Sequence, residues 1–387
     1  MQLKSKNILL IIHSGALGGA ERQALGLAKY LNEVCNCTVD FLFTSSDETT
    51  QEFDDFANQC GINQRLYFGV PYLIFKREFS IKNLKRFKWS IQYLLKMRRG
   101  LLPYKYDIII PFLNFPSKVA FYLYKLLPTV KTTFWHQLGL DNLKHDYFEY
   151  WAATYMPYVI GNAPNCLEMF KSDYIIDPEK LNVLPQYVTL KKVNGNRLEL
   201  LKKFGIEDSK IVIGMIAHFR ADKYHDLVFD VFESIVKRHP NAHLVFLGNK
   251  DNNEPSKAIY EHLLNRVNIT NLRKSVTVLS NELATDLLSI LDIGILISSI
   301  EGTPNAVMEY MLYGLPVVAS NHPGCVGLLE DSSYLVPNDK TIIFRKLSEL
   351  ISSSEKREIE GENNLKHIKK YNLPTYVQQL ENIINKY

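Results

Sequence analysis

The chain has 387 residues, long enough for two domains with separate cores. Its hydrophobic content of 46% and charged content of 22% exclude a disordered polar chain, and no apolar run approaches the roughly 18 residues of a membrane span. A formal net charge of only +4, with no nucleic-acid motif beside it, argues against a nucleic-acid partner.

Lys4 and Lys6 are followed only by Ile8 to Ile12, short of the about 7 to 15 apolar residues of a signal peptide core. Cys35, Cys37, Cys60, Cys166 and Cys325 are odd in number and lack metal-type pairing, which points to a reducing cytoplasm. The C-x-C at 35 and 37 reads as two small apolar residues at a helix-to-strand junction. Short apolar strands alternate with amphipathic helices, the pattern of parallel α/β sheets. Asn7 to Ile12, Thr38 to Phe43, Asp107 to Pro111, Lys131 to Trp135 and Tyr158 to Gly161 read as strands of a first domain.

The first strand runs into His13-Ser14-Gly15-Ala16-Leu17-Gly18-Gly19-Ala20-Glu21-Arg22. Gly18 and Gly19 let the backbone approach a phosphate or sugar and offer it N–H groups at a helix start. The wording differs from a dinucleotide-binding G-x-G-x-x-G, and Asp40 is the candidate for the acid such a site needs about 20 residues on. Further along, Lys76 to Lys105 holds ten cations against Glu78 alone. Leu84, Phe87, Ile91 and Leu94 recur there at helical spacing and are expected to face the core, leaving the cations, with Phe79 and Trp89, on exposed faces. Anionic lipid head groups attract such a patch. Tyr72, Phe75, Phe112, Phe115 and Trp135 are aromatic candidates for an acceptor cleft, and His136 follows Thr132-Thr133-Phe134-Trp135 at the carboxyl edge of the sheet.

A boundary near 190 divides the chain into 1–190 and 191–387. Ile211 to Ala217, His243 to Leu247, Ser275 to Leu279, Ile293 to Ser298 and Pro316 to Ser320 read as strands of the second domain. After the first of them come Arg220 and Lys223, fixed cations suited to stabilising a diphosphate leaving group as it gains charge. His13, His218 and His225 lack metal-ligand spacing, and no Asp-x-Asp motif occurs, so no metal site is expected.

The densest signal is Ser298-Ser299-Ile300-Glu301-Gly302-Thr303-Pro304-Asn305-Ala306-Val307-Met308-Glu309, followed by Gly314-Leu315-Pro316-Val317-Val318-Ala319. Thr303 reads as a helix N-cap, Pro304 as the first helical position and Gly314 as the C-terminal cap. The order strand, turn, helix, turn, strand puts Glu301 at the sheet's carboxyl edge, where ligands bind and helix N–H groups face anions. From Thr303 to Glu309 the helix rises roughly 9 Å, against about 5 to 5.5 Å between the carboxylates of a retaining glycoside hydrolase and 6.5 to 9.5 Å in an inverting one. Two carboxylates so placed suit the two ends of an extended ligand such as a nucleotide-sugar. Each accepts hydrogen bonds from a vicinal diol.

These words resemble the E-x7-E signature of the retaining GT-B glycosyltransferases of the GT4 type, E-G-x-P-N-x-x-x-E-x-M-x-x-G-x-P-V-V. The resemblance implies two Rossmann-like parallel-sheet domains facing across a cleft, with the nucleotide-sugar donor on the second and the acceptor on the first. It implies that Glu301 faces the donor sugar and Glu309 the ribose, with Thr303, Asn305 and Ala306 at the donor. Gly18 and Gly19 then belong to the loop opposite the donor diphosphate, Lys223 and Arg220 to the phosphates, and His136 in Trp135-His136-Gln137 to the donor sugar. His218 stands where the family has its arginine, Tyr224 where it has glycine, and Gly327 near where many members are acidic. The segment from Asn372 onward is expected to be helical and to fold back over the first domain, as is common in GT-B enzymes.

The expected reaction is a metal-independent, retaining transfer from a UDP- or GDP-linked sugar, without a cofactor, to a saccharide or lipid-linked acceptor. Cell-surface polysaccharide or glycolipid synthesis is the expected setting, on the inner face of the plasma membrane, where Lys76–Lys105 contacts anionic lipid. A sugar-nucleotide epimerase or hydrolase, and a non-catalytic nucleotide-sugar-binding subunit, would use the same residues.

Overall fold

The computed structural model describes residues 3–70, 72–140, 143, 146–250 and 254–387. It divides into one unit of Met1–Thr189 with Tyr371–Tyr387 and a second of Leu190–Lys370.

In the first unit, β1 (Asn7–Ile12), β2 (Thr38–Phe43), β3 (Gln64–Tyr67) and β4 (Ile108–Pro111) form a parallel sheet ordered β3-β2-β1-β4. β5 (Trp135–Gln137), β6 (Val159–Gly161) and β7 (Leu181–Val183) form a second parallel run, and a bridge from Ile108 to Thr132 links the two. Alternate residues of β1 enter opposite cores, as the two-residue strand period requires. Ile8, Leu10 and Ile12 pack with Leu25, Leu31 and Phe41, whereas Leu9 and Ile11 pack with Tyr93, Met97 and Val119.

Two sequence expectations change here. The stretch Lys131 to Trp135 is not a full strand: β5 begins at Trp135, and the preceding residues run extended alongside β4, where Lys131 N–H donates to the Asp107 carbonyl. His136 therefore lies within the strand. The division 191–387 also ends early, because the helix Leu373–Lys386 inserts Tyr376, Val377, Leu380 and Ile384 into the first unit's core. Those four share one helical face, and Leu3 N–H donates to Glu381 at 2.7 Å.

The second unit holds β8 (Ile211–Ile216), β9 (Ala242–Gly248), β10 (Val276–Ser280), β11 (Ile293–Leu296), β12 (Val317–Ser320) and β13 (Leu335–Val336), all parallel. Their order, β10-β9-β8-β11-β12-β13, means the chain builds outward from β8 on one side and from β11 on the other. The chain order therefore reverses between β8 and β11, the kind of switch point at which open parallel sheets bind ligands beyond the carboxyl ends of their strands. No described helix is long and apolar enough to cross a membrane.

Candidate active site

The two loops that meet at this switch point are 217–224 after β8 and 297–304 after β11. Ser299 N–H donates to the Asp222 carbonyl at 2.9 Å, so the loops are tied backbone to backbone. Across that tie, Lys223 Nζ pairs with Glu301 Oε1, with Asp222 Oδ2 at 3.4 Å. The other Asp222 oxygen accepts from Arg220 Nε at 2.9 Å. Asp222 thus sets both cations, a role the sequence reading missed. Its one signal was an acid lodged between Arg220 and Lys223. Arg220 itself remains largely exposed, with its guanidinium turned to Asp222.

The main chain before Glu301 is held from both sides. Ser298 N–H donates to Ser320 Oγ at 2.9 Å, and Asn338 Nδ2 donates to the Ser298 carbonyl at 3.0 Å. Ser320 Oγ in turn donates to Asn338 at 2.6 Å, closing the network. His322 lies 3.3 Å from Ser298 Oγ; burial, with Lys223 nearby, lowers its pKa. Gly324 permits a close approach, since a Cβ there would run into the Gly302 carbonyl. Cys325 is buried beside this turn, and burial drives its thiol pKa well up, leaving it unreactive.

The helix that follows is Asn305–Tyr313, capped by Pro304 rather than by Thr303. Pro304 keeps an extended ψ of 116°, so helical geometry starts one residue later than expected, and Thr303 lies buried outside the helix. Asn305 and Ala306 consequently occupy the first turn, whose N–H groups have no partner inside a helix. Glu309 follows one turn further on. Gly314 ends the helix at a left-handed φ of 73°, the conformation glycine adopts without cost. The buried Tyr310 fastens the helix to the sheet: its hydroxyl accepts from Ile216 N–H at 2.7 Å and donates to the Gly214 carbonyl at 3.1 Å. Gly294 makes room for its ring.

In the first unit, His136 is only 1% exposed. Its backbone N–H donates to Ser117 Oγ at 2.9 Å, and Nδ1 lies 2.8 Å from the Pro111 carbonyl. Burial pushes its pKa down to about 4, with the Pro111 contact opposing. The ring is therefore neutral at pH 7. With Nδ1–H given to Pro111, Nε2 is the acceptor, a tautomer assigned from this bond. Gly18 caps the helix Gly19–Glu33, and its N–H donates to the Ala16 carbonyl at 2.9 Å. Three positions on, Glu21 folds back toward Gly18 in the manner of a capping box, and burial raises its carboxyl pKa. That carboxylate already serves this helix start, leaving Gly19 as the less committed of the two glycines. Of the aromatic candidates, Phe112 and Trp135 are core residues, while Tyr72 is exposed. Among the described residues, no group of three or more His, Cys, Asp or Glu has the geometry to hold a metal ion.

Residues 196–367 match the family model of glycosyl transferases group 1. No curated protein matches the chain. Among solved structures, HepE of Anabaena in complex with UDP and glucose is 17% identical, with a TM-score of 0.77 over 99% of this chain and 100% of that one. A glycosyltransferase from Rickettsia africae is 16% identical, with a TM-score of 0.77 over 99% of this chain and 98% of that one. Sucrose-phosphate synthase from Thermosynechococcus elongatus is 14% identical, with a TM-score of 0.73 over 98% of each chain. The fold is GT-B.

Proposed function

From the premise that residues 196–367 carry the group 1 glycosyltransferase pattern on a GT-B fold, we propose that the chain transfers a sugar from a nucleoside-diphosphate sugar, with retention at the anomeric carbon. The observation that carries this reading is the Lys223–Glu301 pair at the β8/β11 switch point, beside the first turn of the helix Asn305–Tyr313. A bound diphosphate takes over Lys223, with Arg220 and the Asn305 and Ala306 N–H groups as further donors. Glu301, freed from its lysine, accepts from the donor-sugar hydroxyls, and Glu309 accepts from the ribose diol. Neutral His136 accepts a sugar hydroxyl at Nε2.

The reaction is a front-face displacement. The bond between the anomeric carbon and the diphosphate oxygen breaks, the acceptor oxygen bonds to that carbon on the same face, and the departing diphosphate takes the acceptor proton. Lys223 stabilises the charge that accumulates on the leaving group, without a metal. The donor is UDP- or GDP-linked, and the acceptor is a saccharide or a lipid-linked saccharide of cell-surface polysaccharide or glycolipid synthesis. Peripheral attachment to an anionic membrane is the matching location.

Thermal-shift measurements with UDP- and GDP-sugars test the donor site: the cognate donor stabilises the wild type and not Glu309→Ala. Product analysis then tests the reaction. A retained anomeric configuration in a glycosylated product supports the reading, and donor consumed without such a product overturns it in favour of epimerisation or hydrolysis.

A further inference from the structure

The helix Ile81–Leu101 in the first unit reverses the expected arrangement over its opening three turns. The residues it buries there are polar, Asn83 and Ser90, while Ile81, Leu84, Phe87, Trp89 and Ile91 face outward. Leu84, Phe87 and Ile91, expected in the core from their spacing, are therefore on the surface, and only Leu94 is buried. The polar residues hold the preceding segment against the helix. Asn83 donates to the carbonyls of Lys76 at 2.7 Å and Glu78 at 2.8 Å and accepts from Lys76 N–H at 2.9 Å; Ser90 Oγ donates to the Tyr72 carbonyl. This pinning presents Phe79, whose side chain is 100% exposed, together with Tyr72 and Ile74.

Two groups of ring contacts tie the helix to its neighbours, with half-buried Phe75 and Tyr147 in the second. The Tyr72 ring lies 5.3 Å from Trp89, and Phe75 joins Phe87 at 5.1 Å to Tyr147 at 5.3 Å. Phe79, Ile81, Leu84, Trp89 and Leu95 are all exposed on this one segment, a concentration of apolar side chains that marks an interaction site rather than the single scattered ones of an ordinary surface. On a wheel of 3.6 residues per turn, Ile81, Leu84, Lys88 and Leu95 fall within about 60° of one another, so apolar and cationic groups share one outward stripe. Lys82, Lys85 and Lys88 form no ion pair with any described residue, and the sole acid of the stretch, Glu78, is engaged by Arg86 at 3.5 Å. Aromatic and aliphatic side chains interspersed with unneutralised lysines fit the boundary between anionic head groups and acyl chains.

We infer that the segment Tyr72–Leu95 is a membrane-insertion surface, with Phe79, Ile81, Leu84 and Trp89 entering an anionic lipid bilayer and Lys82, Lys85 and Lys88 held at its head groups. The inference rests on the peripheral attachment proposed above but not on the transfer chemistry.

Co-sedimentation of the full chain with phosphatidylcholine vesicles, with and without phosphatidylglycerol, tests it. Binding is expected only with the anionic lipid. It should fall about tenfold in Phe79→Ser/Ile81→Ser and also in Lys82→Gln/Lys85→Gln/Lys88→Gln. Tryptophan emission should shift to the blue on vesicles, and Trp89→Phe should abolish the shift. Unchanged melting temperatures confirm that the variants fold, and unchanged stabilisation by the cognate nucleotide-sugar separates this surface from the donor site. No vesicle binding overturns the inference. So does binding that the Phe79/Ile81 variant retains without an emission shift, which is electrostatic adsorption. A wild-type dimer in gel filtration that the same variant dissociates assigns the surface to a second copy and also overturns it.

Discussion

Each unit contains a lysine–carboxylate pair next to the residues assigned to the donor, and the two pairs differ in access to water. In the first unit Lys118 Nζ meets Asp146 Oδ2 at 2.6 Å with side-chain exposures of 3% and 5%. Lys118 follows Ser117, which receives the His136 N–H, and Asp146 also accepts from Glu149 N–H to cap the helix Tyr147–Tyr155. In the second unit Lys223 and Glu301 are 14% and 11% exposed, and Asp222 stands as a second partner for the lysine. A sealed pair has no ligand to exchange with and contributes by holding helices in place. An accessible pair with a spare acid can release its lysine to a phosphate and its glutamate to hydroxyls.

The widest gap between them should appear on deleting one lysine. Lys118→Ala leaves the Asp146 charge buried without its partner and should cost about 3 to 5 kcal/mol of stability in urea unfolding. Lys223→Ala leaves Glu301, at 11% exposure, within reach of water and should cost less than the Lys118 change. Equal losses would erase the distinction. Turnover should rank the pairs the other way. Glu301→Ala and Lys223→Ala should each remove about 2.7 to 4 kcal/mol of transition-state stabilisation, read as a loss in kcat. Near-normal turnover in both variants would refute their assignment to catalysis.

How far such distinctions can be read from sequence depends on whether the deciding contact is local. β1 and β2 are legible because their apolar runs must be buried on both faces, and the turn after β11 is legible because Pro304 and Gly314 each favour one backbone state. The error of one residue at Thr303 arises because a proline can itself serve as the cap. Asp222 and Glu21 were missed since their work is to orient neighbours, and acids in that role carry no distinguishing spacing. Helical period correctly groups Leu84 and Ile91 on one face but does not say on which side the protein lies. Asn83 and Ser90 settle that through bonds to segments 72–78, which no periodicity encodes. β3, β7 and β13 are short or polar, with little hydrophobic pattern to detect.

A smaller effect probes how the accessible pair is kept in register. Tyr310→Phe removes both hydroxyl bonds to β8 and leaves the buried Ile216 N–H without its partner. About 1 to 3 kcal/mol of stability should be lost. If the helix Asn305–Tyr313 also shifts against the loop carrying Lys223, kcat should fall with little change in donor KM. A variant that loses stability with kcat intact would limit Tyr310 to packing.

The smallest effect compares the units through pH. His136 in the first and His243 in the second are both held neutral by burial, with pKa values pushed down to about 4; His243 Nε2 lies 2.8 Å from Thr277 Oγ1. The unfolded chain keeps the ordinary value near 6.5, so on acidification it takes up protons before the folded chain does. Stability from this source is complete above about pH 6.5 and is lost progressively as pH falls toward 4. Between about pH 7.5 and 5.5 each histidine should account for about 1 kcal/mol of that loss. His243→Gln should therefore reduce the acid sensitivity of the second unit's unfolding by this amount and leave the first unit's unchanged. His136→Gln should do the reverse, and in addition weaken stabilisation by the cognate nucleotide-sugar. An equal pH response in both variants, with donor stabilisation intact, would mean that His136 is as remote from the donor as His243.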